Sequence, residues 1–346
     1  MVSVEYHRDL KEVQSDADLA RLLSAPAQAA PFDRLDWWRL LAQHCGMAPC
    51  LVVARDASGM AVLPLAGQGP HLTQCANWYT FRFRPIVSAG AGTDGEALLA
   101  RLAGDLAGKA RRVTLTGLPR EDADLVARAF RRAGWLAARE QSDINHVLPL
   151  EGRDYAAFLG GRPGKLRTTL KRKSGKVATQ VLTHFDAEVW AAYETIYATS
   201  WKPEEGSPAF LRAFAQAEGA AGRLRLGIAH SPEGEAIAAQ MWTVEGGTAF
   251  IHKLAHRESA KPLSPGSVLS AALFRHVIDI DKVGLIDFGT GDDPYKRDWM
   301  EQVRLRYRLD LIRPQAPANW PLLARRALKS LAGRAAQSLA AVAKRR

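Results

Sequence analysis

Apolar residues in the first half of the chain alternate between the period of a helix and that of a strand. Residues 31–45 are apolar at helical spacing and predict a helix, and runs at 50–55 and 60–65 predict a hairpin. Residues 77–88 alternate aromatic and basic side chains and suit a strand or an extended loop. The pattern then predicts, in order, a helix at 95–109, a strand at 112–118, a helix at 121–133 and a strand at 135–145. These elements form a complete α/β unit.

The second half follows a similar order of elements. A helix is predicted near Tyr155 and runs into a basic segment. The other predicted elements are a strand at 177–185, helices at 187–201 and 210–218, a hairpin at 224–230 and 236–244, a strand at 248–256, a helix from 265, and strands around 287 and at 305–312. Since both halves contain a helix, a hairpin, and then a helix and a strand, we predict two similar folds in tandem.

Residues 319–346 predict an amphipathic C-terminal helix. On a helical wheel Trp320, Leu328 and Leu339 share a broad apolar face, and basic residues lie opposite it. Residues 311–346 carry eight Lys or Arg and no Asp or Glu. Such a helix is typical of an anchor on an anionic membrane surface, and packing against the domains or disorder fits the same pattern.

The net charge of the 346 residues is +11, and much of it is concentrated in two segments. Besides the C-terminal segment, residues 162–176 carry seven basic residues and no acidic one. This run is suited to a polyanion such as tRNA, the ribose phosphate of coenzyme A or anionic lipid, although a solvated helix face is the more common explanation.

The sequence favours a cytoplasmic protein. No run approaches the roughly 20 apolar residues that span a bilayer, and the first residues are charged throughout, unlike a secretory signal. The three cysteines, Cys45, Cys50 and Cys75, match neither a secreted disulfide framework nor a zinc motif.

Residues 248–300 contain the most informative pattern in the chain. An apolar strand ends at Ser264-Pro265-Gly266-Ser267, which opens a helix, and a second strand then delivers Asp287 and a polar cluster at 295–299. The first turn of a helix leaves backbone N–H groups unpaired, and the helix dipole favours an anion there. The pattern therefore predicts a phosphate-bearing cosubstrate, while an ordinary helix start capped by a serine remains the alternative.

Five segments in this order resemble a known family. LRTTLKRKSGK, IYATSWK, IAAQMWTVEGGTAFIHKLAHRE, LSPGSVLSAALFRHVI and IDFGTGDDPYKRDWM are similar to GNAT-type N-acyltransferases of the FemAB-like superfamily, in the branch often found near polysaccharide or cell-envelope genes. The resemblance covers roughly residues 155–311, and the N-terminal half is more loosely similar to the degenerate first domain of such proteins.

The resemblance implies an α/β (α+β) fold of tandem GNAT-like domains, each a mixed, mainly antiparallel sheet flanked by helices. Residues 1–147 would be a degenerate GNAT-like domain and residues 148–314 the acyltransferase domain. Residues 315–346 would be the basic amphipathic helix.

Acyl transfer from a thioester to an amine needs a diphosphate cradle, donors to the carbonyl, and groups that move protons. We expect Gly266, Ser267 and Val268 to form the cradle and Lys296, from the Tyr-Lys motif, to neutralise phosphate. The resemblance implies a carbonyl donor on the preceding strand, within residues 252–255. Trp201, Lys202 and Trp242 are candidates for lining the acceptor cleft, and tryptophans are more often core residues.

Asp287, His252, Tyr295 and Asp292 are the candidates for proton transfer. Asp287 lies in an apolar strand, where burial would raise its pKa, and a structural role is equally compatible with that position. By resemblance, Tyr295 would protonate the leaving thiolate. His252 could act as a base or be a satisfied sheet histidine. His252 and His256 lie about 13 Å apart on a strand, so we expect no metal site.

The leading functional hypothesis is an N-acyltransferase that uses acyl-CoA, with an acetyl or longer acyl group. The acceptor would be a primary amine of an amino sugar, an amino acid derivative or an envelope precursor. Direct attack in a ternary complex is favoured because all three cysteines lie in the first half.

Two alternatives remain open. One is an aminoacyl-tRNA-dependent transferase of the Fem type, and only this alternative involves nucleic acid. The other is a non-catalytic scaffold bound to the inner face of the membrane through residues 319–346.

Overall fold

The computed structural model describes residues 2–88, 90, 92–200 and 202–325. The strands are β1 Ser3–His7, β2 Pro49–Asp56, β3 Gly59–Ala66, β4 His71–Gln74, β5 Ile86–Val87, β6 Arg112–Leu118, β7 Leu136–Pro149, β8 Ala178–Leu182, β9 Leu224–His230, β10 Ala236–Glu245, β11 Thr248–His256, β12 Leu285–Thr290 and β13 Gln302–Ile312. The helices are α1 Leu10–Ser15, α2 Ala17–Leu22, α3 Leu35–His44, α4 Gly95–Leu106, α5 Arg120–Arg132, α6 Tyr155–Gly160, α7 Gly164–Lys173, α8 Ala187–Ala198, α9 Pro208–Ala220, α10 Pro265–Arg275 and α11 Pro294–Trp299.

The two halves of the chain repeat one strand order. The first half contributes β1-β2-β3-β4-β6 and the second half β8-β9-β10-β11-β12, with neighbours paired in these orders. The first four strands of each set pair antiparallel. In both halves the last two strands of the set pair parallel, with a helix, α4 or α10, between them in sequence. The predicted tandem arrangement of mixed, mainly antiparallel sheets is therefore confirmed.

The final strand of each half lies in the sheet of the other half. β7 pairs with β12, and β13 pairs with β6. The two exchanged strands also pair with each other along all of β13, from Gln302 opposite Val147 to Ile312 opposite Leu136. One sheet thus runs through both halves. The domain boundary expected at residue 147 lies within β7, and the proposed boundaries stay a prediction.

Aromatic rings from both halves form a shared core on one face of the sheet. The Trp37 ring lies 5.0 Å from the rings of Phe210 and Phe214, and Phe32 lies 5.6 Å from Phe250. T-shaped pairs at these distances add to the stabilisation that burial of the rings provides. The halves are therefore packed as one body around these rings.

A buried ion cluster joins the halves beside this core. Arg34 of the first half lies 2.9 Å from Glu218 and 3.3 Å from Glu245, both in the second half. Burial raises the pKa of Glu245 to about 7. Removal of the arginine would leave the buried Glu245 carboxylate without its salt bridge, whereas Glu218 would keep its ion pair with Arg223 at 2.7 Å.

Most predicted elements occur within a few residues of their expected positions, with some differences. Residues 77–88 form a loop containing only the short strand β5, because Tyr79, Phe81 and Phe83 turn inward to the core and Pro85 limits backbone pairing. Helix α3 begins at Leu35, after a 3₁₀ turn at Pro31–Asp33. The sequence pattern did not indicate β1, β4 or α11.

The predicted C-terminal helix lies mostly outside the described residues. Residues 320–325 are helical, and residues 326–346 are not described. Within the described part of the chain, no helix is both long enough and apolar enough to cross a membrane.

The β10–β11 turn packs against the first half and provides a test of the contact between the halves. Gly246 and Gly247 both have positive φ, at 54° and 71°, as a two-residue hairpin turn requires. A Cβ at Gly246 would lie 2.8 Å from Ala29 Cα, whereas one at Gly247 would have no neighbour within 4 Å.

We expect Gly247→Ala to cost about 1 kcal/mol from backbone strain alone. Gly246→Ala should cost about 1–3 kcal/mol more, because the added methyl group meets backbone of the other half. Urea unfolding of both variants measures the difference. Equal losses of stability would show that the contact with Ala29 is not formed.

Candidate active site

Strands β11 and β12 pair only at their beginnings, and a pair of cavities lies where they part. Residues 248–250 pair with 285–287, and no pairing follows. The cavity beside the first turn of α10, here called the α10 cavity, has a volume of about 300 Å³. The second, here called the lysine cavity, has a volume of about 200 Å³. Leu254, Phe288 and Tyr295 line both, so the two cavities adjoin.

The first turn of α10 presents backbone donors to the α10 cavity. Ser264 adopts a left-handed conformation with φ 53°, and α10 begins at Pro265. Among the described residues, no hydrogen bond is formed by the backbone N–H groups of Gly266 and Ser267, and both residues line the cavity. The Val268 N–H donates to the Ser264 carbonyl at 3.1 Å, and the Val268 side chain is buried. Of the three residues predicted for the cradle, only Gly266 and Ser267 have N–H groups available to a ligand.

Gln240 on β10 fixes the position of this helix turn. Its Nε2 donates to the Gly266 carbonyl at 3.0 Å and to Ser270 Oγ at 2.8 Å. Its Oε1 accepts a hydrogen bond of 2.9 Å from Trp242 Nε1. Because these bonds are buried, each partner is costly to leave unsatisfied, so the helix start is held rigidly against the sheet. Trp242 is a fully buried core residue and lines neither cavity.

Tyr295 on α11 lies at the junction of the two cavities. Its ring packs edge-on against Phe288, with 5.6 Å between centroids. The residue is 37% exposed, so the side chain is reachable from solvent. Burial of the hydroxyl and the nearby Asp293 raise the pKa of Tyr295 above its ordinary value. The phenol is therefore protonated at neutral pH and is a hydrogen-bond donor.

Three lysines line the lysine cavity. Burial lowers the pKa of Lys202, Lys253 and Lys296 below that of an exposed lysine. The Lys253 ammonium lies 2.7 Å from a carboxylate oxygen of Glu205. Lys296 donates to the carbonyls of residues 290 and 291 and lies 3.7 Å from Asp293. Lys296 is not in the wall of the α10 cavity, and its ammonium is occupied by the loop that follows β12.

His252 occupies a β-bulge beside the lysine cavity. The β10–β11 register shifts between Met241 and Trp242, so that His252 has no partner residue on β10. Its Nε2 lies 2.8 Å from Thr243 Oγ1, and its ring lies 5.2 Å from that of Phe81. Burial lowers the pKa of His252 to about 3, which makes the imidazole a weak base at neutral pH.

Asp287 and Asp292 lie outside the walls of both cavities. Asp287 Oδ1 accepts hydrogen bonds from Asn145 Nδ2 at 2.7 Å and from the Gly289 N–H at 2.8 Å. Asp292 lies 3.2 Å from His146 Nε2 and also pairs with Arg297. The structure gives both carboxylates partners that organise the strands around the site.

Several residues in the lysine cavity were not expected from the sequence pattern. Asp293 lines it with an exposed carboxylate. Trp78 and Phe81 reach it from the loop of the first half. Lys253 lies on β11, and the sequence around it contains no pattern that indicates a site. Lys202 had been expected at the acceptor cleft together with Trp201, which lies outside the described residues.

No group of three or more His, Cys, Asp or Glu side chains that could hold a metal occurs in the described part of the chain.

The family comparison covers most of the residues that line the two cavities. Residues 164–297 match the family described as an acetyltransferase (GNAT) domain. This segment is similar to GNAT domains. No curated protein sequence matches the chain.

Several solved structures share the fold over most of both chains. The C-terminal domain of a putative lysylphosphatidylglycerol synthetase from Agrobacterium fabrum has a TM-score of 0.59 at 12% identity, covering 92% of this chain and 98% of that one. FemX has a TM-score of 0.58 at 11% identity, covering 88% and 96%. A tandem GNAT protein from the clavulanic acid biosynthesis pathway has a TM-score of 0.52 at 13% identity, covering 91% and 100%. The expected tandem GNAT fold is confirmed.

The environment of His252 makes a testable prediction about its titration. The folded pKa of about 3 lies below the value of about 6.5 for an unfolded chain. Burial therefore disfavours protonation of the His252 ring. The stability that the buried neutral ring contributes is fully present above pH ~6.5 and is lost as the pH falls toward 3.

We expect the His252 resonance in an NMR titration to stay unchanged between pH 8 and 5 in the folded protein. In urea the same resonance should titrate near pH ~6.5. His252→Gln identifies the signal. Titration of the folded protein near neutrality would show that the ring is not desolvated.

Proposed function

We propose that the protein is an N-acyltransferase that moves an acyl group from acyl-CoA to a primary amine by direct attack in a ternary complex. One observation carries the proposal. Where β11 and β12 part, unbonded N–H groups at the start of α10 and the phenol of Tyr295 line the same opening. A helix terminus suited to an anion and a phenol suited to donate a proton therefore line one cavity.

The diphosphate of coenzyme A would bind at the start of α10. Gly266 and Ser267 supply two N–H donors at the positive end of the helix dipole. The exposed ammonium of Lys261 lies in the wall of the same cavity and would balance the phosphate charge. We assign this role to Lys261 rather than Lys296, because Lys296 belongs to the other cavity.

The thioester would lie between the strands, at the junction of the two cavities. The carbonyl oxygen would accept a hydrogen bond from the backbone of β11 within residues 252–255. The neutral amine attacks the carbonyl carbon, the C–N bond forms and the C–S bond breaks. Tyr295 donates a hydrogen bond to the departing sulfur, and the exposed Asp293 carboxylate takes the proton that the new amide releases.

Three of the residues first considered for catalysis would then support the site rather than react. Asp287 and Asp292 hold neighbouring strands and side chains, and the low pKa of His252 disfavours it as a base. The acceptor would be an amino sugar, an amino acid derivative or an envelope precursor. We place the reaction in the cytoplasm, with residues 148–314 as the catalytic domain and residues 1–147 as its degenerate partner.

Substitution of Ser267 tests the diphosphate site. Ser267→Asp puts a carboxylate in the first turn of α10, which suits the helix dipole but repels a phosphate. We expect the Kd for acetyl-CoA to rise at least about tenfold, since charged hydrogen bonds contribute about 1.5–3 kcal/mol. Calorimetric titration with acetyl-CoA measures this.

Ser267→Ala is the matched control. It keeps the N–H and should change the Kd by less than about threefold, because the lost hydroxyl bond is neutral and partly exposed. Equal binding by the wild type and Ser267→Asp would place the diphosphate elsewhere. Release of free thiol from acetyl-CoA in the presence of amines then tests transfer itself.

A second candidate is aminoacyl-tRNA-dependent transfer, and helix α7 favours it. Its basic residues Lys165, Arg167, Lys171 and Arg172 are exposed, and none forms an ion pair with a described residue. Leu166 of the same helix lies in the wall of the α10 cavity, so this basic surface adjoins the cleft. The fold shared with FemX and with a lysylphosphatidylglycerol synthetase supports the same candidate.

Binding of tRNA at several salt concentrations separates the two candidates. If tRNA is the donor, its affinity should fall steeply with salt, and Lys171→Glu/Arg172→Glu should flatten that slope. The same charge change at Lys109 and Arg120, exposed residues of the first half, is the control. Under our leading proposal tRNA binds weakly and does not compete with acetyl-CoA.

The scaffold alternative depends on residues 319–346. Most of these residues lie outside the described part of the chain, and the proposal of a membrane contact through them rests on sequence alone.

A further inference from the structure

A third and larger cavity continues the row formed by the α10 cavity and the lysine cavity. It has a volume of about 570 Å³ and lies between α8, α9 and residues 202–208. Lys202 lines both this cavity and the lysine cavity. Glu205 in its wall accepts a hydrogen bond of 2.9 Å from Lys253, which belongs to the lysine cavity. The third cavity therefore opens beside the place where the amine would react.

Aromatic rings form one side of this cavity, here called the aromatic cavity. Trp190, Tyr193 and Tyr197 are consecutive on one face of α8, with ring centroids 4.8 Å and 5.9 Å apart. The volume lies within the range of about 300–1,000 Å³ that small-molecule sites occupy. Flat aromatic surface of this kind suits the apolar face of a sugar ring.

The Tyr193 hydroxyl is the unusual group in this wall. The residue is 3% exposed, and its hydroxyl makes no hydrogen bond with any described residue. A buried hydroxyl without a partner destabilises the fold, and such groups in native structures call for an explanation. A hydroxyl of a bound ligand would supply the missing partner.

The charges around the aromatic cavity are balanced. Glu194 pairs with Arg212 at 2.5 Å, and Glu205 pairs with Lys253. Glu204 and Lys202 also line this wall, and their formal charges are of opposite sign. A dicationic polyamine would find no excess negative charge here, and a long acyl chain would have to desolvate the carboxylates. A neutral ligand with many hydroxyl groups is therefore the best match for the residues that line this cavity.

We propose that the aromatic cavity binds the sugar ring of an amino-sugar acceptor and directs its amine into the lysine cavity. The ring would pack against the aromatic wall beside Tyr197, and its hydroxyls would bond with Tyr193, Glu204 and Glu205. This inference rests on the proposed function, because it names the acceptor for the same transfer. Donor and acceptor then approach Tyr295 from opposite ends of one row of cavities.

Tyr193→Phe is the test, because it removes only the unpartnered hydroxyl. Protein stability should not fall, since no bond within the protein is lost. With acetyl-CoA as donor, we expect the KM for glucosamine and for its β-1,4-linked dimer to rise about five- to tenfold, the effect of one lost hydrogen bond. The KM for acetyl-CoA should be unchanged. Tyr155→Phe, which alters a mostly buried tyrosine on α6, is the control and should change neither KM.

Binding without donor separates this inference from the proposed function. Equilibrium dialysis of glucosamine and the dimer against the wild type and Tyr193→Phe needs no acyl-CoA. Sugar binding that weakens in Tyr193→Phe supports the inference even if acetyl-CoA fails to bind. Failure of acetyl-CoA to bind would overturn only the identity of the acyl donor. Thiol release with spermidine but with neither sugar would leave the acyltransferase intact and overturn the sugar site. An unchanged KM and unchanged binding in Tyr193→Phe would overturn it as well.

Discussion

The exchange of β7 and β13 between the halves is the constraint on which the rest of the structure depends. Because each final strand completes the sheet of the other half, neither half has a complete sheet by itself. β12 is held along one edge by β7 and is bonded to β11 only over its first residues. The free parts of β11 and β12 leave the opening in which both site cavities lie. The candidate site therefore forms only in the context of the whole chain.

The first half contributes to the site as well as to the sheet. Its loop at 77–88 carries Trp78 and Phe81 to the lysine cavity, and Tyr79 bonds the 202–208 segment through the Ser207 N–H at 2.9 Å. The first half thus shapes one side of the candidate cleft in the other half. The Arg34 ion cluster and the shared aromatic core hold the two halves in a fixed relative position.

The site combines a rigidly held helix start with lysine charges whose burial lowers the stability of the protein. Gln240 holds the start of α10 through two hydrogen bonds, and a third from Trp242 fixes the Gln240 amide, so the backbone N–H groups of this turn are held in place. Burial lowers the pKa of three lysines at one cavity, so their positive charges are retained there at a cost in stability. Partially desolvated charges and an unsatisfied tyrosine hydroxyl are features that a ligand would relieve, and they line adjoining cavities.

The sequence alone determined the repeated order of elements, the helix opened by Ser264-Pro265-Gly266-Ser267, and the resemblance to FemAB-like GNAT proteins. These follow from local periodicity, turn chemistry and ordered motifs, which act over a few residues. It could not determine which side chains share a cavity. Asp287 looked reactive because its strand is apolar, but Asn145, far away in sequence, satisfies it. Lys253 and Tyr193 carry no local signal, and only the pairing of distant strands and the packing of α8 place them beside the cleft, because contacts between remote segments depend on the whole fold.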